Sequence, residues 1–80
     1  MKLRFFQQEQ GYRYRLTFDS GEVMSIDLHG LIGTYVSEEQ LKTAHLDPEW
    51  GCLEFRDGEV DIEPRTLYRF ARQQIEQEVA

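Results

Sequence analysis

The run from His45 to Tyr68 constrains this chain more than any other. Within it Pro48 and Gly51 frame one turn, Asp57-Gly58 signals a second, and Pro64 suits the first position of a helix. Proline presets φ and glycine takes positive φ freely, so few backbone paths stay open. The reading is strand, turn, strand, second turn, helix start. His45-Leu46-Asp47 begins the hairpin. Residues 52–56 continue it as a strand, with Leu53 and Phe55 inward and Cys52, Glu54 and Arg56 outward. Ile62 and Leu67 can staple the helix entry. Leu67, Phe70, Ala71, Gln74, Ile75 and Glu78 then follow helical spacing, and Arg65, Arg69 and Arg72 fall on the opposite side.

Upstream, residues 2–8 alternate weakly and read as a strand, with Leu3 and Phe5 set against Lys2, Arg4 and Phe6. Gln8-Glu9-Gln10-Gly11 is a turn signal. Residues 12–18 alternate cleanly: Tyr12, Tyr14, Leu16 and Phe18 share one face, and Arg13, Arg15 and Thr17 the other. Asp19-Ser20-Gly21-Glu22 turns the chain. Residues 23–28 return with Met24, Ile26 and Leu28 on one side. His29 to Val36 holds two glycines and several apolar residues, and reads as a covering loop or short irregular strand. Ser37-Glu38-Glu39-Gln40 is a capping box, in which Ser37 and Gln40 satisfy each other's amides. A short helix over residues 38–44 follows, with Val36 and Leu41 at staple positions.

These elements predict one α+β domain over residues 1–80: an antiparallel meander of about five strands, a short middle helix, and a C-terminal helix packed on one face. The other face is left polar or for a partner. A chain of this size builds one modest core, not a core plus a deep substrate cavity. A partner subunit can supply missing burial.

Fifteen carboxylates against nine Lys and Arg leave a net charge of −6. Such a chain repels phosphate backbones, which disfavours nucleic acid as a partner. The charge is also uneven. Lys2, Arg4, Arg13 and Arg15 face only Glu9 in the first 15 residues, whereas Asp47, Glu49, Glu54, Asp57, Glu59, Asp61 and Glu63 face only Arg56 in 47–63. That polarity orients an approaching partner. Cys52 is the only cysteine, so an internal disulfide and a Cys-based zinc site are excluded, which fits a cytoplasmic setting. The apolar start is too short for a signal peptide or membrane span.

The run Asp47-Pro48-Glu49-Trp50-Gly51-Cys52-Leu53-Glu54-Phe55, then residues 57–64, then Leu67-Tyr68, resembles the C-terminal signature of a family of small bacterial proteins, domain-of-unknown-function family 2442. Residues 14–23 with Ile26-Asp27-Leu28 are similar to that family's first hairpin. The resemblance covers about residues 10–70, with Phe55 where members usually carry Trp. It implies no catalytic activity. It does imply a partner-binding role, since such domains are often encoded beside another short protein in a toxin–antitoxin-like arrangement, and it transfers no site residues.

No catalytic constellation is visible, so an enzyme is not expected. The alternating carboxylates of 47–63 are the candidate for a divalent cation, but their order lacks the calcium-loop pattern, and a solvated hairpin edge and helix start accounts for them. His29 and His45 lack a fixed partner in sequence. Cys52 sits beside Glu54, which does not favour a thiolate. Arg13 and Arg15 share a strand face that is either solvated or a contact surface. Trp50 in its turn either folds back on the core, the commoner outcome, or meets a partner. The expected function is therefore a noncatalytic protein-interaction module, antitoxin-like by resemblance, with Arg13, Arg15, Trp50 and Glu54 as contact residues and no cofactor. The alternatives are a small-ligand or divalent-metal domain and a homodimeric structural domain.

Overall fold

The computed structural model describes residues 1–79. The chain runs β1 (Leu3–Gln10), β2 (Arg13–Phe18), β3 (Val23–Asp27), α1 (His29–Ile32), a 3-10 helix (Glu39–Thr43), β4 (His45–Leu46), β5 (Leu53–Phe55), β6 (Val60–Ile62) and α2 (Pro64–Val79). It is α+β, but the strands form two three-stranded antiparallel sheets, ordered β1-β2-β3 and β4-β5-β6, rather than one meander of five. The β4–β5 turn docks on the start of β1, where the Leu3 amide donates to Gly51 O at 3.0 Å. One such bond joins the sheets without merging their ladders.

Sequence alternation holds in β2 and β3. Tyr14, Leu16, Phe18, Met24 and Ile26 are buried, and Arg13, Arg15, Val23 and Asp27 are exposed. It fails in β1. Leu3 pairs with Phe18 and Phe5 with Thr17, so Arg4 is an extra residue in a bulge. A bulge shifts the phase of a strand by one residue. Phe5 is therefore turned out, 59% exposed, while Phe6 turns in and meets the Tyr14 ring at 6.1 Å. The expected assignment of these two phenylalanines is reversed.

His29 to Ile32 is a short helix rather than a loop or strand. Asp27 Oδ1 accepts from the His29 amide at 2.9 Å, and Leu28 O accepts from the Leu31 and Ile32 amides. Leu28, Ile32 and Val36 recur every fourth residue and are all buried. The capping box forms as expected: Ser37 N donates to Gln40 Oε1 at 3.0 Å, and Gln40 N to Ser37 Oγ at 3.3 Å. The helix it opens is a tight 3-10 turn.

Val60 to Ile62 is a strand that the sequence reading passes over. Val60 and Ile62 lie between the charged Glu59, Asp61 and Glu63, which is the signature of a half-buried strand. Pro64 opens α2 as expected. Leu67 and Ala71 are buried, Phe70, Gln74 and Ile75 are partly so, and Arg65, Arg69 and Arg72 are exposed. Phe18 and Tyr68 meet edge to face at 5.2 Å, as do Tyr14 and Phe55 at 6.1 Å. These contacts gather both sheets and α2 on one core.

Candidate interaction surface

The turn between β4 and β5 is built to hold one shape. Asp47 N donates to Cys52 O at 2.9 Å, and Gly51 N to Asp47 O at 2.7 Å. Asp47 Oδ1 also accepts from the Glu49 amide at 2.9 Å. Gly51 is buried with φ of 72°. A Cβ there would lie 2.4 Å from Lys2 Cβ, so the close approach of β1 needs glycine as much as the left-handed φ does. Trp50 is carried on this frame, 66% exposed. It does not fold back on the core, which corrects the commoner expectation for a turn tryptophan.

Arg13 and Arg15 are exposed on the uncovered face of the first sheet. Cross-strand rows there read Phe5–Thr17–Val23, then Gln7–Arg15–Ser25, then Gln10–Arg13–Asp27. Ser25 Oγ donates to the Glu9 carboxylate, and Arg13 Nη2 lies 3.5 Å from Ser25 O. The apolar row, with Phe5 at 59% and Val23 at 51% exposure, stands at the end of the sheet nearest Gly51. Arg13 stands at the far end. The structure thus separates Arg13 from Trp50 and supplies Phe5, which the sequence reading places inside.

Glu54 is only 16% exposed at its side chain, and His45 Nε2 lies 2.9 Å from its Oε1. Its cross-strand neighbours are His45 and Asp61. Cys52 sits among the same acids. Burial first, then hydrogen bonding to Asp61 and the charges of Asp61, Asp47 and Glu54, pushes its thiol up to about 11. At neutral pH it is a protonated thiol, not a nucleophile. Among the described residues no three His, Cys, Asp or Glu side chains come together to hold a metal ion.

Thr43 is a structural residue that sequence patterns do not single out. Its hydroxyl donates to Gln40 O at 2.6 Å and accepts from the Arg56 amide at 2.7 Å, which ties the 3-10 helix to the β5–β6 turn. His29 packs edge-on against Tyr12 at 4.8 Å, beside an open polar groove of about 650 Å³ that also meets Arg13, Asp27 and Glu38. No described helix is long and apolar enough to cross a membrane.

Residues 7–73 match the family model described as Protein of unknown function (DUF2442). The chain belongs to the DUF2442 family. No curated protein and no solved structure matches it. In DUF2442 terms, the matched span runs from the middle of β1 to the middle of α2 and includes the whole Trp50 turn.

Proposed function

We propose that this DUF2442 chain is a noncatalytic protein–protein interaction module with Trp50 at the centre of its contact surface. The observation that carries this reading is a tryptophan two-thirds exposed on a turn fixed by Asp47 and Gly51. A rigid, displayed indole loses little conformational entropy on binding and offers a large apolar area, which is why Trp dominates contact hot spots. Phe5, 59% exposed in the row nearest Gly51, adds apolar area that burial in a partner would stabilise. Arg13 and Arg15 would set orientation through their charge rather than supply most of the affinity. Glu54, largely buried against His45, would act through that pair rather than by direct contact.

The finer reading is an antitoxin-like protein whose partner is a small toxin-like neighbour. It rests on the arrangement of genes that the family resemblance implies. The test is co-expression with the adjacent gene product, followed by co-purification and growth measurement. A stable complex and restored growth support the reading; a lone monomer with no effect on growth rejects it. Within a complex, Trp50→Ala should weaken binding about 30-fold or more, as a hot-spot truncation of about 2 kcal/mol does. The same change should move stability by less than about 0.5 kcal/mol, because the indole is not part of the core.

A further inference from the structure

The two edges of the first sheet are treated differently. Along β3, the Gln74 side chain covers the outward backbone groups of Asp27: Oε1 accepts from its amide at 2.8 Å and Nε2 donates to its carbonyl at 2.8 Å. α2 also packs along this strand. Along β1, the longest strand, the Leu3 amide is taken by Gly51. Beyond it, no backbone or side-chain partner beyond the sheet takes the outward groups of β1 among the described residues.

The register says which groups those are. Tyr12 O accepts from Leu28 N, and Asp19 N donates to Lys2 O. The even residues of β2 therefore point their backbone groups at β3 and the odd ones at β1. Arg15 and Thr17 thus bond Gln7 and Phe5, and the amides and carbonyls of Phe6 and Gln8 point outward. A bulge at Arg4 and a second between Gln8 and Gln10 close this open segment at both ends. Bulges of this kind stop strands from stacking without limit.

We infer that a second copy of this chain occupies the open edge, pairing β1 with β1 antiparallel about a two-fold axis at Gln7. In that register Phe6 and the partner's Gln8 exchange both backbone bonds, and the symmetric pair does the same, so the open amides and carbonyls of Phe6 and Gln8 are all satisfied. Lys2 and Arg4 stand at one end of β1 and Glu9 at the other. Glu9 already accepts from Ser25 Oγ within its own sheet, so what the charges favour is separation: antiparallel pairing keeps the two basic ends of β1 apart, whereas a parallel pair would set Lys2 and Arg4 of both copies together. The seam is short, so the dimer belongs to the weak class of interfaces. The inference does not rest on the Trp50 surface, and its test needs no other protein.

Sedimentation of the full chain should show the mass rising from 9.5 kDa toward twice that value at concentrations on the order of 100 µM. Gln8→Pro removes an outward amide and should leave a monomer whose circular dichroism is unchanged. Gln7→Lys sets like charges across the axis and should weaken association at least tenfold. Mixing it with Gln7→Glu should restore a dimer containing one copy of each. A mass of 9.5 kDa at every concentration overturns the inference. A dimer indifferent to Gln7→Lys and Gln8→Pro overturns it as well.

Discussion

The two sheets reach the same three-stranded form by different means. The first has strands of 8, 6 and 5 residues, held by continuous ladders with one alternating apolar face. The second has strands of 2, 3 and 3 residues, too short to stand alone. Its shape comes from its turns and from what it leans on. Gly51, Arg56, Asp57 and Gly58 all take positive φ, and Arg56 and Asp57 do so at a steric cost that glycine avoids. Thr43, Gly51 and Phe55 then attach it to the rest of the molecule. Long alternation builds a sheet from its own residues, whereas a short sheet borrows its stability through a few attachment points.

The sharpest way to break this contrast is Phe55→Ala. Phe55 is fully buried and meets the Tyr14 ring, so its loss should cost about 3–5 kcal/mol. In a domain of this size that is much of the total stability, and chemical denaturation should show one early, cooperative transition. If hydrogen exchange instead rises only in β4 to β6, the sheets are separate units and the dependence argued here is wrong.

Gly51→Ala attacks the seam. The added methyl collides with Lys2 and the left-handed φ is strained, so about 2 kcal/mol or more should be lost. Gly21→Ala in the first hairpin meets open space and should cost only the φ strain, about 1 kcal/mol. Equal melting shifts for the two variants would show that the seam carries no special load.

Gln74→Ala should cost roughly 1–2 kcal/mol, the worth of two part-exposed hydrogen bonds, and should speed amide exchange at Asp27 above all other β3 positions. Unchanged exchange there would mean that α2, not the amide group, guards this edge.

The smallest effect concerns Cys52. The folded thiol holds its proton up to about pH 11, against an ordinary value of 9.0. Its contribution to stability is therefore whole below pH 9 and is lost as pH rises toward 11. At pH 8 the native chain should be alkylated on the order of a hundredfold more slowly than the unfolded chain, in proportion to thiolate. Equal rates would place Cys52 in solvent and remove the acidic environment described for the second sheet.

Residues whose signals act over a few positions were legible in the sequence. Tyr14, Leu16 and Phe18 declare a buried strand face because side chains alternate along any strand. Ser37 and Gln40 declare a cap because their side chains reach only their own turn. Pro64 declares a helix start because its ring sets φ. The Trp50 turn could be drawn from Pro48 and Gly51, but not its seat in the fold, where Gly51 packs on Lys2 and takes the Leu3 amide from more than forty residues earlier in the chain.

Tertiary structure alone decided the rest. The bulge at Arg4 reverses Phe5 and Phe6, and nothing in the local pattern marks it, since both orders bury one phenylalanine. The division into two sheets holds because the Leu3 amide on Gly51 is a single backbone link, too little to merge β1 and β4 into a shared ladder. The guarded β3 edge needs Gln74 to arrive from the last helix. Short-range sterics write the elements into neighbouring residues, but which edge is covered and which ring faces water depends on surfaces that meet only once the whole chain has packed.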